Sequence, residues 1–435
     1  MVTTRLIDIA KGREAFKGLS LDEWESLRKK SQEEVIKNVP REFLGKYRDH
    51  EAKNKVRYQI RNIVGGEYPN MPEQAKVAVI EKLTNEISGF GPLEKILDNP
   101  DITEILVEHY DRIVIEKDGL LQETTVKFDS EDHLRLVIER IISPMGRRLD
   151  WSSPIVDGRL PDGSRMCAVA PPVAPNGTQL AIRKFKPNLS INELIGFGSV
   201  SKEIAEALKI CVRSRLSMIV SGGTGSGKSS FLNALSEYVD PNISIITIEN
   251  PIELQLNHPR VRQWEARPPN IEGRGEIDML SLVIAALRSR PDIIIVGEVR
   301  GKEAFALMQA LNTGHNGSMT TLHANNTQES MQRLVSMVVA ANQLAPDQVP
   351  GYVASGIDII VHLSRMPDGS RKVTEIAEVV GEENGRVITN KLVEYRIEDY
   401  GEEGNIIGRW HYTGNKFLCE EKLKSMKIDF PGWGS

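Results

Sequence analysis

The chain has 435 residues, more than one ordinary core holds; at about 150 residues per domain, two or three domains are expected. Its 55 basic and 60 acidic residues leave a net charge of -5, which argues against a chain built to coat nucleic acid while leaving room for local basic patches. Cys167, Cys211 and Cys419 are far apart with no C-x-x-C pair, which argues against a disulfide framework or a cysteine zinc site and fits a reducing compartment.

The opening MVTTRLIDIAKGREAF has no apolar core followed by a small-residue cleavage site. No run of about 18 apolar residues follows anywhere. The expectation is a soluble, cytoplasmic protein that docks on membranes only through other proteins. Residues 1–73 are charge-rich and read as an N-terminal helical arm. Within it LDEWESLRKKSQEEVIKNV places Trp24, Leu27, Val35 and Val39 at helical spacing among charges, an exposed amphipathic helix that is either a solvated arm or a docking surface.

Residues 74–190 mix helix and strand. PEQAKVAVIEKLTNEI and HLRLVIERIISPM read as helices, and RIVIEKDGLLQET alternates around a Lys-Asp-Gly turn as a hairpin does. DGRLPDGSRMCAVAPP and QLAIRKF read as strands, and FKPNLSINEL (185–194) as a linker. From 191 to 435 short apolar strands alternate with helices: LSMIVSG (216–222), SIITIEN (244–250), DIIIVGEV (292–299), GSMTTLHA (317–324) and DIIVHLS (358–364). That alternation predicts an α/β core with a sheet buried on both faces. KVTEIAEVVG, NKLVEYRIED and GRWHYTG suggest a β-rich C-terminal appendage.

The most specific motif lies between the first of these strands and the helix after it. Gly222, Gly223, Thr224, Gly225, Ser226, Gly227, Lys228, Ser229 and the adjoining Ser230 fit G-x-x-x-x-G-K-[ST]. Glycines let the backbone curl so that N–H groups point at phosphate oxygens, and the following helix adds its positive end. Lys228 suits the β and γ phosphates of ATP, and the Ser229 hydroxyl suits Mg²⁺. Glu298 ends a buried strand and is the candidate to orient the attacking water and to stand near the metal; Asp292 starts that strand, at the opposite edge, and is discounted. Glu249 and Glu253 frame TIENPIEL, and His315 and His323 flank GHNGSMTTLHA. No third ligand beside the histidines supports a zinc site.

SGGTGSGKSS, ITIENPIEL, RSRPDIIIVGEVRGKEA and NTGHNGSMTTLHANN, in this order, resemble the Walker A, acidic, Walker B and histidine boxes of the secretion ATPases. EARPPNIEGRGEIDM, GRRLDWSSPIVDGRLPDGSRMCAVAPP and GFGPLEKILDNPDITEILV resemble the CpaF type, which powers tight-adherence (Flp) pili. The resemblance covers about residues 75–435. It implies a RecA-like P-loop domain after an α+β N-terminal domain, a homo-hexameric ring, ATP between the two domains, and a platform protein in the inner membrane as partner, with no direct nucleic-acid contact. It also implies site roles for Glu298, Glu249, Glu253, His315 and His323, for Arg183 in LAIRKF, and for Arg288 ahead of the Walker B strand. The acidic box departs from the family by carrying Asn250 where Asp is usual, which removes a carboxylate from the metal's neighbourhood. Two further readings are a RecA-like nucleic-acid translocase and a switch that holds ATP and hydrolyses little; Glu298 argues against the latter.

Overall fold

The computed structural model describes residues 19–39, 50–117, 120–184, 188–269, 273–401, 404–425, 427–430 and 432–433. The Asp118–Gly119 part of the expected hairpin turn, the opening residues and Phe185–Pro187 of the expected linker lie outside them. The chain divides into two compact units with the division after Lys186. Among the described residues no helix is long and apolar enough to cross a membrane.

The first unit begins with helix Leu21–Asn38, opened by a reciprocal cap in which Ser20 and Glu23 each bond the other's backbone N–H. Such a box satisfies donors that a helix start leaves orphaned. The helix is not a solvated arm. Trp24, Leu27, Val35 and Val39 are buried with Val56, Ile60 and Val64 of helix His50–Glu67 and with Val79, Ile80 and Leu83 of helix Glu73–Ser88. Burying that apolar stripe, at about 25 cal/mol per Å², holds the three helices together.

Strands β1 (Ile102–His109), β2 (Arg112–Lys117), β3 (Leu120–Glu123), β4 (Ile155–Arg159), β5 (Arg165–Val169) and β6 (Gln179–Arg183) form an antiparallel sheet in the order β3-β2-β1-β6-β5-β4. Helix Glu131–Ile142 is capped by Ser130. It packs Leu134, Val137, Ile138 and Ile141 into a core with Ile105, Val107, Ile113, Leu180 and Ile182 of the sheet.

The second unit carries a nine-stranded sheet. Its strands are β7 (Met218–Gly222), β8 (Ile245–Glu249), β9 (Val261–Glu265), β10 (Ile293–Val296), β11 (Met319–Leu322), β12 (Ile359–Arg365), β13 (Arg371–Glu383), β14 (Arg386–Tyr400) and β15 (Ile406–Tyr412). Their order is β15-β14-β13-β12-β7-β11-β10-β8-β9. From β12 to β9 the pairs are parallel, and β12 to β15 are antiparallel. The apolar runs have a simple cause. In β10, Ile293 and Ile295 face one core while Ile294 and Val296 face another, so no position is left for a polar residue.

Two expectations need correction here. The C-terminal strands are no appendage, because β13 hydrogen-bonds β12, which hydrogen-bonds β7, so they extend the central sheet. The end of the expected linker is helix Ile191–Gly196, with a capping box between Ser190 and Glu193.

Candidate active site

Parallel strands bring their C-terminal ends to one edge of the sheet, where ligand sites of open α/β sheets lie. Here β7 runs into the glycine loop, β8 ends at Glu249, β10 leads into Gly297 and Glu298, and β11 leads into His323. The register aligns them: Leu322 pairs with Ser221, Val296 with Ile248 and Thr320, and Leu363 with Gly222.

The loop has the shape of a phosphate cradle. Gly222 has φ 153°, and a Cβ there would lie 2.3 Å from the Leu363 carbonyl oxygen, so only glycine leaves the strand this way. Gly227 has φ 93° and opens helix Lys228–Ser236, whose first N–H groups face the loop. Thr224 on the loop and Ser230 in the helix are exposed. Lys228 Nζ donates to the carbonyls of Gly222 (2.9 Å) and Gly223 (2.8 Å). Burial pushes its pKa down, with the carboxylates of Glu298 and Glu253 opposing.

Lys228 Nζ also lies 3.5 Å from each ring nitrogen of His323, and His323 Nε2 lies 3.0 Å from Glu298 Oε1. Burial, then the Lys228 ammonium, hold His323 below the ordinary histidine range, which favours the neutral ring. A carboxylate can only accept, so the ring proton sits on Nε2 and is donated to Glu298. The other carboxylate oxygen accepts from Arg300 at 2.5 Å, and that bond is what raises the arginine's pKa.

Glu249 and Glu253 form the second arm. Glu249 is buried, and its Oε1 accepts the backbone N–H of Glu253 (2.9 Å) and Leu254 (3.0 Å). That folds the chain back after β8 and presents Glu253, whose Oε2 accepts the Ser229 hydroxyl at 2.8 Å. Gly297 makes room for this, since a Cβ there would lie 2.7 Å from Glu249 Cγ. Serine and carboxylate oxygens are the hard donors that magnesium takes. Among the described residues no three His, Cys, Asp or Glu converge on a metal site. A magnesium ion bound to one or two protein oxygens and to phosphates needs no such cage.

Three expected site residues are not brought to this cluster within the second unit or lie outside that unit. His315 precedes β11 and Arg288 precedes β10, so both stand at the sheet edge opposite the glycine loop. His315 Nδ1 is 3.2 Å from the Ala310 carbonyl at the end of helix Glu303–Leu311, and Arg288 caps helix Met279–Leu287. Arg183 ends β6 in the first unit, exposed and 3.7 Å from Glu104. Asp292 lies at the opposite edge, where its carboxylate accepts the Ser244 N–H at 2.8 Å.

Sequence reasoning missed Arg300, although its place two residues after Glu298 was a signal. It also missed His362, buried on β12, whose Nδ1 is 2.9 Å from Ser221 Oγ directly behind the loop.

Residues 86–394 match the family model described as "Type II/IV secretion system protein". The chain belongs to that family. This member of the type II/IV secretion system family is 36% identical over 318 residues to a "Putative conjugal transfer protein" of Mycobacterium tuberculosis, a match covering 72% of this chain and 90% of that one. It is 28% identical over 342 residues to the type IV secretion system protein VirB11 of Bartonella quintana, covering 68% and 95%. Among solved structures, the pilus retraction motor PilT with bound ADP superposes with TM-score 0.50 at 22% identity, over 67% of this chain and 82% of that one, a likeness of fold. The architecture is thus a RecA-like P-loop ATPase fold with a preceding α+β region and N-terminal helices.

Proposed function

We propose that this secretion-family chain is a homo-hexameric, Mg-ATP-hydrolysing motor of the CpaF type. It drives assembly, or both assembly and retraction, of a Flp-like pilus or a type II/IV secretion apparatus. It works in the cytoplasm, held at the membrane by an inner-membrane platform protein. The observation that carries this reading is the run Lys228–His323–Glu298 at the mouth of the glycine loop, with Ser229 and Glu253 beside it. A loop that only held nucleotide would need no carboxylate aligned by a histidine and an arginine.

In the reaction a water oxygen bonds to the γ-phosphorus while the bond from that phosphorus to the bridging oxygen breaks; ADP leaves with the electron pair, and the water's proton passes to a phosphate oxygen. The loop N–H groups and Lys228 hold the β and γ oxygens. Glu298 orients the water and is itself oriented by His323 and Arg300, so little reorganisation is left to the reaction step. Glu249 acts through Glu253, and Ser229 with Glu253 is the place for magnesium, which neutralises charge on the phosphate oxygens when bound. Arg183 and Arg288 carry guanidinium charge suited to a transferring phosphoryl group; in this reading they complete a site in the assembled ring, as does His315.

The test is the steady-state ATPase rate per subunit against protein concentration, with Glu298→Gln as control. A rate that rises with assembly and vanishes in the control supports the motor. A flat rate equal to the control removes it. The second reading, a nucleic-acid translocase, draws on the conjugal transfer relatives. It predicts salt-sensitive stimulation of the rate by DNA; the motor reading predicts none.

A further inference from the structure

The β12–β13 hairpin, at the junction of the parallel and antiparallel parts of the sheet, reaches the middle of the glycine loop through Arg371. Arg371 is the first residue of β13. Its Nε donates to the Gly225 carbonyl at 2.9 Å. Its Cδ lies 3.2 Å from where a Cβ on Gly227 would be, so the aliphatic stem passes close over the loop at Gly227.

The direction of that hydrogen bond matters. In a trans peptide the C=O and the next N–H point to opposite sides. Turning the Gly225 carbonyl out toward Arg371 therefore turns the Ser226 N–H inward. The Ser226 N–H does face the Gly223 carbonyl (3.4 Å), the oxygen that also accepts from Lys228 Nζ (2.8 Å), so it lies on the Lys228 side of the loop, the side that the nucleotide-site reading gives to the phosphates.

The hairpin is built to hold Arg371 still. Asp368 Oδ1 accepts the Ser370 N–H (2.9 Å) and hydroxyl (2.7 Å), and Met366 N–H donates to the Ser370 carbonyl at 2.7 Å. Asp368 Oδ2 accepts the Ile406 N–H at 2.8 Å, which ties the turn to β15. Further along β13, Glu375 Oε1 accepts the Thr327 hydroxyl at 2.8 Å, on the segment that follows His323. One strand thus steadies both the glycine loop and the chain beyond the histidine.

We propose that Arg371 is a positioning residue for nucleotide binding: it fixes the Gly225–Ser226 peptide so that its N–H faces the phosphates before ATP arrives. This rests on the nucleotide-site reading above. Arg371 acts through the loop and is not a catalytic residue. It aids ground state and transition state alike, so its loss falls on KM and not on kcat.

The experiment measures ATPase kinetics and binding of a fluorescent ATP analogue to the full chain, for the parent, Arg371→Ala, Arg371→Lys, Lys372→Ala and Lys228→Ala. Lys372 is the neighbour on the same strand and donates to Gly198, away from the loop. The expected result is that Arg371→Ala raises KM and Kd about tenfold with kcat within about twofold. Arg371→Lys should restore most of the affinity, and Lys372→Ala should match the parent. Equal binding by Arg371→Ala and the parent overturns the proposal. So does a fall in kcat at unchanged KM, or an equal loss in Lys372→Ala. If Arg371→Ala shows no melting transition, Arg371→Gln carries the same comparison. A parent that binds no better than Lys228→Ala removes the nucleotide reading and this proposal with it. A parent that binds, with loss in Lys228→Ala alone, removes only the role of Arg371.

Discussion

His323 Nε2 lies 3.0 Å from the Glu298 carboxylate, and the same ring touches the Lys228 ammonium. The histidine thus stands between the cation proposed to meet phosphate and the carboxylate proposed to orient water. Replacing it with alanine removes the donor that aims Glu298. His323→Ala should lower kcat by about tenfold to a hundredfold with a smaller change in KM, the pattern of an interaction made chiefly in the transition state. Glu298→Gln should bind ATP normally and turn over at least about a hundredfold more slowly. Equal loss of KM and kcat in His323→Ala would make it a binding residue.

Acid should loosen this unit in a defined window. Burial lowers the pKa of both His323 and His362; Glu375 opposes this at His362 and Lys228 reinforces it. In that window the unfolded chain binds more protons than the folded one, so stability is full above about pH 6.5 and is lost as pH falls through the depressed folded values. The melting temperature should fall from pH 7 toward about pH 5, and His362→Gln should flatten that fall. An unchanged slope in His362→Gln would assign the acid sensitivity to other groups.

Gly297 carries a steric prediction. A methyl group there meets Glu249 Cγ at 2.7 Å, so Gly297→Ala must push Glu249 off the Glu253 and Leu254 N–H groups. Overpacking of this kind costs about 1–3 kcal/mol, and Glu253 loses its alignment with Ser229. The check is a chemical melt beside a Mg²⁺ titration: stability and apparent Mg²⁺ affinity should fall together.

Asn250 is exposed at the end of β8, next to Glu249. Asn250→Asp adds a carboxylate near the proposed magnesium place, and should shift half-saturation by Mg²⁺ to lower concentration. An unchanged titration would show that position 250 does not sense the metal.

Much of this was legible in the sequence because strong local signals agree with the fold. The runs MIVSG, IITIE, IIIV and MTTL are buried throughout and mostly apolar since both faces of the sheet are covered, and each turned out as a strand within the expected span. The glycine loop was legible because backbone geometry dictates its residue types. What escaped was set by partners distant in sequence. Helix His50–Glu67 buries only Ala52, Val56, Ile60 and Val64, a four-residue spacing lost among charges and a Gly-Gly pair. Arg371 and His362 reach the loop across strand pairings that no short motif encodes. His315 illustrates a subtler limit. It and His323 flank one strand, yet a four-residue strand spans about 13 Å, so its two flanks lie on opposite edges of the sheet.

The strand order also has a consequence for how the protein is made. In the finished sheet β7, which carries the glycine loop, lies between β11 and β12; Ile219 pairs with Thr320 on one side and Ile360 on the other. During synthesis the P-loop strand leaves the ribosome well before either neighbour exists. Chains grow at about 5–20 residues per second and such non-local pairing is slow. The nascent chain therefore passes several seconds with a buried-type strand unpaired on both sides, and the strand that carries the glycine loop gains its last neighbour only once β12 has emerged.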